Sequence, residues 1–112
     1  MTYSIKHNPK AHRDLVEIDA YFSQFYASTS RKFFVEYYKI LDLISFSPWF
    51  RKWDDYPNYR VANVRRYLVF FTVDDDAKTV TIHRILHGMR NFRQNKDIEV
   101  MEEQAAYGQP KI

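Results

Sequence analysis

Val80-Thr81-Ile82-His83-Arg84-Ile85-Leu86-His87-Gly88-Met89-Arg90 is the stretch on which the fold turns. β-Branched and aliphatic residues recur through it, and the acidic run Asp74-Asp75-Asp76 ahead of it marks a turn, so it reads as a strand. Under strict alternation Val80, Ile82, Arg84 and Leu86 share one face, and Thr81, His83, Ile85 and His87 the other. Apolar residues on both faces predict a central strand, covered at least in part on both sides. Arg84, His83 and His87 are unusual cargo for such a strand. Gly88 ends the regular part, and Arg90 follows as the chain leaves the sheet. Two imidazoles and two guanidiniums so close together can grip a phosphate or a carboxylate-rich partner. The plainer alternative is a paired arginine and a solvated strand end.

Upstream, Tyr67 to Val73 is nearly all apolar and reads as a central strand, and Tyr59 to Val64 as its neighbour, with Arg65-Arg66 at the turn. Connections this short make a three-stranded antiparallel meander. Before it, Pro48 to Pro57 holds both tryptophans and no glycine. It reads as a loop whose aromatics cap the core, although aromatics beside Arg51 and Lys52 can also stack on bases. Tyr3 to His7 alternates as a short strand. Asn8-Pro9 is a helix start, an acceptor at the N-cap with proline first in the helix. Ala11, Leu15, Ile18, Phe22 and Phe25 then recur at helical spacing, which predicts an amphipathic helix from Pro9 to Tyr26, with Asp14, Glu17 and Asp19 mostly off its apolar face. Ala27-Ser28-Thr29-Ser30 breaks it and caps a second helix carrying Phe33, Tyr37, Ile40, Leu41 and Ile44, which ends by Pro48. The expected architecture is therefore α+β: an N-terminal strand, an antiparallel helical hairpin, then the meander, with the hairpin on one face of the sheet. One domain spans 1–93. The tail, 94–112, is helical or disordered, with Ile98, Met101 and Ala105 on one side of a helix over Asp97 to Tyr107.

Composition narrows the function. The chain has 112 residues, 46% of them hydrophobic, and no cysteine, which removes disulfides, thiol catalysis and cysteine-based zinc sites. No apolar run approaches the length of a membrane span and no segment looks like a signal peptide, so a soluble, cytoplasmic protein is expected. The net charge is +3, and setting aside the residues after Arg93 leaves 15 basic against 10 acidic ones. A basic body with an acidic tail suits a nucleic-acid or acidic protein partner, or simply solubility. With only two glycines, Gly88 and Gly108, there is no phosphate-cradling loop and no dinucleotide fingerprint, and no cofactor is expected. His83 and His87, four apart on a strand, lie about 13 Å from each other, too far to chelate one metal.

A basic constellation remains: Arg60, Arg65, Arg66, Arg84, His87 and Arg90, all on the last three strands or their ends. A meander can bring several of them together on the side of the sheet away from the helices. There arginines clamp phosphates and a histidine serves as general acid or base. Such a set suffices for metal-free RNA cleavage, and equally for holding an acidic protein or a nucleic acid.

Tyr3-x-Ile5, Pro9-x-Ala11-x-x-Asp14-Leu15-x-x-Ile18-x-x-Tyr21-Phe22, Tyr59-Arg60, Arg66-Tyr67-Leu68-Val69-Phe70-Phe71-x-Val73-Asp74 and Val80-x-Ile82-x-Arg84-Ile85-Leu86-His87-Gly88-x-Arg90 follow one another in an order and spacing that resembles the RelE/ParE superfamily of toxins from type II toxin–antitoxin modules. The ParE branch is the closer. The resemblance covers residues 3 to 92 and implies the same α+β fold. It also implies a cognate antitoxin that wraps the toxin as a hetero-oligomer, for which Tyr21, Phe25, Tyr26, Phe34 and Tyr38 are the candidate contacts. ParE-like toxins poison DNA gyrase by binding, and here Arg60, Arg65, Arg66, Arg84, His87 and Arg90 would form the target-binding set. RelE-like toxins are enzymes that cut mRNA in the ribosomal A site, and those roles would fall to Arg60, Arg84, His87 and Arg90. An inactive member that only binds antitoxin is the third reading. A dense lysine cluster of the RelE kind is missing, since Lys52 is the only lysine between Lys39 and Lys78.

Overall fold

The structure, a computed structural model, describes residues 2–53 and 56–88. Its elements run β1 (Ser4–His7), α1 (Pro9–Ser23), α2 (Ala27–Phe46), β2 (Lys52–Trp53), β3 (Tyr56–Val64), β4 (Tyr67–Asp74) and β5 (Thr79–His87). The strands form one sheet in the order β1-β5-β4-β3-β2. The expected α+β architecture is present, with α1 and α2 packed on one face and β3-β4-β5 as the antiparallel meander. The sheet is wider than the meander on both sides. β1 adds to β5 in parallel, and β2, inside the tryptophan-rich loop, adds to β3. Arg90 and the tail after it lie outside the described residues.

Local chemistry sets the helix limits. The Asn8 side chain accepts hydrogen bonds from the amides of Lys10 and Ala11, at 3.1 and 3.2 Å, so two of the helix's unpaired donors are satisfied and Pro9 removes another. At the far end α1 stops at Ser23 rather than Tyr26, and the three-residue connection is Gln24 to Tyr26. The expected break at Ala27-Ser28-Thr29-Ser30 is instead the first turn of α2, whose N-cap, Tyr26, makes no side-chain cap. The Ser30 hydroxyl is used across the hairpin instead, donating to Asp19 of α1. A tertiary hydrogen bond has taken the group that the sequence offers as a cap.

The apolar faces of both helices meet the sheet in one core. Phe33 and Tyr37 are fully buried, and Phe33 contacts Phe22 and Tyr67 at ring separations of 5.7 and 5.3 Å. Val69, Phe71, Val80, Ile82 and Ile85 supply the sheet side. The opposite face carries a second apolar cluster of Tyr59, Val61, Phe70 and Leu86.

Strict alternation along β5 fails in the middle. Phe71 faces Ile82 and Phe70 faces Arg84, so His83 is one residue too many on its strand. Such a β-bulge shifts the phase of every later side chain. Ile85 therefore joins Val80 and Ile82 in the helix-side core, while Leu86 goes to the opposite cluster. This reverses the assignment of Ile85 and Leu86 that alternation predicts.

Beyond the bulge the strand end is clamped to the β3–β4 turn. Arg65 at that turn has a left-handed φ of 54°. The Gly88 amide donates to the Arg66 carbonyl at 2.6 Å, and a Cβ on Gly88 would lie 2.9 Å from that same oxygen. Gly88→Ala is therefore expected to cost about 1–3 kcal/mol, the range for overpacking. The check is the urea unfolding midpoint, which should fall with the slope unchanged.

Candidate functional site

The centre of the site is an acid on α1 and the bulged half of β5. β1 ends at His7, so the edge of β5 away from β4 has a strand beside it only as far as Ile82. Past that point α1 takes the place of β1. Asp14 accepts from Arg84 twice, Nε to Oδ2 at 2.7 Å and Nη2 to Oδ1 at 2.9 Å. The same Oδ2 accepts the Ile85 amide at 2.9 Å, a bond that a neighbouring strand would otherwise take. Asp14 is 8% exposed. It is a buried carboxylate with a bidentate partner, not the solvated acid expected from the polar face of α1. The spacing contained the signal. Asp14 sits between Ala11 and Ile18 on the buried stripe, and Arg84 sits among the apolar residues of a central strand.

Beside this pair opens a concavity of about 440 Å³, with Glu17, Tyr21, Tyr67 and His87 in its lining. It adjoins a second, of about 420 Å³, lined by Tyr21, Phe22, Arg65, Arg66, Tyr67 and His87. The His87 ring meets the Tyr67 ring edge-on at 5.1 Å.

The basic constellation does not gather on the side of the sheet away from the helices. Arg84 turns to α1. Arg65 pairs with Glu36 of α2 at 2.5 Å. Arg60 donates to the Phe50 carbonyl at 2.7 Å and lies over the Trp49 ring at 4.9 Å, at the other end of the molecule. The side away from the helices is instead apolar and aromatic. The helix-facing phase of Arg60, which is opposite Phe71, and the capture of Arg84 by Asp14 account for the difference. Of the expected set, Arg84 and His87 line the first concavity, and Arg65, Arg66 and His87 the adjoining one. Arg90 lies outside the described residues.

His83, the bulged residue, is enclosed. The Asn8 amide group lies 3.2 Å from its Nδ1 and the Thr72 hydroxyl 2.9 Å from its Nε2, with Tyr59 edge-on at 5.1 Å. Because the Asn8 oxygen already caps α1, its Nδ2 is the donor toward His83, which leaves Nε2–H to donate to Thr72. Burial pushes this imidazole down to about 4, so it is neutral at pH 7. Among the described residues no group of three or more His, Asp or Glu side chains could hold a metal ion.

The aromatic candidates divide between two places. Tyr21 and Phe25, in ring contact at 5.4 Å, and Tyr26 are exposed at the end of the hairpin. Tyr38 and the half-buried Phe34 line a groove between the helices with His12, Leu15, Val16 and Asp19. Sequence reasoning missed Val16 there, and also Val35, Leu43 and Phe46, all more than half exposed, while Trp49, read as one of the aromatics capping the core, is itself 52% exposed. No helix among the described residues is long and apolar enough to cross a membrane.

Comparison with known proteins adds the following. The family described as the ParE toxin of the type II toxin–antitoxin system parDE matches residues 5–92, well over half of the chain. Among solved structures, the chromosomal ParDE toxin–antitoxin system of P. aeruginosa is similar at 18% identity and a TM-score of 0.63, over 76% of this chain and 95% of that one. The RelBE2 toxin–antitoxin complex of Mycobacterium tuberculosis is similar at 20% identity and a TM-score of 0.57, over 78% and 99%. At such identities these two likenesses concern the fold. No curated protein matches.

Two outcomes are expected of the site. Asp14→Ala leaves the Arg84 charge buried and the Ile85 amide without its acceptor, and should cost about 3–5 kcal/mol. Chemical denaturation of the purified variant reads this directly. The second concerns pH. The unfolded chain binds a proton at His83 near pH 6.5, whereas the folded chain resists until about 4. Stability is therefore whole above pH 6.5 and falls through the window from 6.5 to 4, by about 3 kcal/mol at most. His7, lowered by burial and by His12, acts in the same direction. His83→Gln, which does not titrate, should lose less stability than the parent between pH 7 and pH 4.

Proposed function

The chain belongs to the ParE toxin family of type II toxin–antitoxin systems, and from that premise we propose that it arrests growth by binding and poisoning DNA gyrase, and that a cognate antitoxin holds it inactive. One observation carries the choice of a binding mechanism over a nuclease. The arginine best placed to clamp a phosphate in the last strand, Arg84, is engaged twice by Asp14 beneath α1. The sheet face where a phosphate-gripping set was expected is lined by Tyr59, Val61, Phe70 and Leu86. Affinity spread over Arg65, Arg66, His87 and the neighbouring aromatics suits an inhibitor that acts without chemistry of its own. The antitoxin would lay an apolar segment along Val16, Phe34 and Tyr38 and over the exposed rings of Tyr21, Phe25 and Tyr26, in the manner of a helix or strand seated in a groove.

A second reading, a ribosome-dependent mRNA endonuclease, draws on the concavity that His87 shares with Arg65, Arg66 and Tyr67. There a histidine beside two guanidiniums has the makings of a general acid with a phosphate clamp.

The deciding assay is supercoiling of relaxed plasmid by gyrase with ATP, scoring trapped cleaved DNA. Inhibition with trapped cleavage at near-stoichiometric toxin is expected. Normal supercoiling in the presence of well-folded toxin would reject the gyrase reading and direct the assay to mRNA on programmed ribosomes. His87→Ala should leave most of the growth arrest under the binding mechanism, whereas loss of a general acid or base lowers a rate about a hundredfold or more. Tyr38→Ala should weaken antitoxin binding by about thirtyfold if Tyr38 anchors the groove, the size of a strong interface contact, as read by titration calorimetry.

A further inference from the structure

The outward face of α2 is apolar where water favours charge. Phe33, Tyr37, Leu41 and Ile44 turn to the core, and the opposite side shows Val35 at 54% exposed, Leu43 at 57% and Phe46 at 74%. At 3.6 residues per turn, Val35, Lys39, Asp42 and Phe46 fall in one row within an arc of about 60°. Leu43 borders this row, whereas Tyr38 lies toward α1, in the groove between the helices. Lys39 and Asp42 are both exposed, and neither meets an ion-pair partner among the described residues. The row thus reads apolar, basic, acidic, apolar. Val35 and Phe46 lie about 8 Å to either side of its midpoint, and Lys39 and Asp42 about 2 Å.

We propose that this row is the contact of a two-fold symmetric dimer, in which α2 of a second copy lies antiparallel along it. A two-fold contact must match itself end for end, and this row does. Turned about its midpoint, it sets Lys39 against Asp42 of the second copy and Asp42 against Lys39. Each Val35 then meets a Phe46, which is the most exposed large apolar side chain among the described residues. Other alignments fail on charge. Sliding the second helix by three residues brings Lys39 onto Lys39 or Asp42 onto Asp42, and a parallel pair sets like on like. The overlap runs from Val35 to Phe46, a length of about 18 Å. That is short of a standard interface, so the association is reversible and concentration-dependent. The concavity lined by Asp14, Glu17 and His87 lies outside this contact, so the dimer carries two of them.

Sedimentation velocity of the full chain reads the dimer directly. The mass is expected to rise from 13.6 kDa toward twice that value between low micromolar and submillimolar concentration. Lys39→Asp sets acids against acids and Asp42→Lys bases against bases, so each should weaken association by about tenfold or more. Mixing these two variants brings opposite charges together again and should restore the dimer as a mixed species. Both exchanges in one chain should restore it as well, and Phe46→Glu should abolish it. Lys39, Asp42 and Phe46 are exposed, so every variant should keep the monomer fold, as circular dichroism checks. Three results would overturn the proposal. One is a chain that stays monomeric at every concentration. Another is a dimer that survives Lys39→Asp or Phe46→Glu, which would place the second copy elsewhere. The third is a mixture of the two charge variants that associates no more tightly than either alone. None of them bears on gyrase, so this test and that of the growth-arrest mechanism fail separately.

Discussion

Everything distinctive about this molecule depends on one carboxylate. Asp14 holds Arg84 by both arms of its guanidinium and accepts the amide of Ile85 besides. It thereby joins α1 to the last strand where β1 has run out, and serves as a side-chain substitute for a missing strand. A buried ion pair is weak evidence of net stability, because desolvation offsets much of the attraction. Its value here is in register. Arg84 and Ile85 follow directly on the bulge at His83, and Asp14 takes the guanidinium of one and the amide of the other. A slip by one residue would put Leu86 where Ile85 packs.

The bulge in turn explains why a strand with so much polar chemistry can be central. His83 is absorbed between Asn8 and Thr72, neutral and hydrogen-bonded at both ring nitrogens. Asn8 thus caps α1 with its oxygen while its nitrogen faces the histidine. The start of the first helix and the irregularity in the last strand are fixed by the same side chain. Two of the residues that look most reactive in the sequence, His83 and Arg84, are therefore held within the fold, one between Asn8 and Thr72 and the other by Asp14.

Most of the architecture was legible because it is written in local signals. Asn8-Pro9 announces a capped helix, the stripes of the two helices are continuous, and YLVFFTV can only be a buried strand. What was not legible is non-local. Four residues of β1 say nothing about a parallel partner more than seventy positions away. Ser30 looks like a cap until Asp19 of the preceding helix claims it. The basic set was misplaced for the same reason. Alternation sorts side chains correctly only until a bulge intervenes, and whether an arginine grips a partner or an internal acid depends on what packs over it. Asp14 in the buried stripe and Arg84 in an apolar strand were each anomalous alone. Together they form the pair.

The parallel pairing of β1 with β5 has a consequence in time. Ser4 to His7 are matched with Thr79 to Ile82, so the first strand cannot find its place until the last one exists. α1 is likewise pinned from across a separation of 70 residues. Contacts of this span are the slow ones to form. A nascent chain still short of β5 has a helical hairpin and part of a sheet, yet lacks both the strand that docks β1 and the arginine that anchors α1. The docking of β1 and the anchoring of α1 therefore both wait on the synthesis of β5.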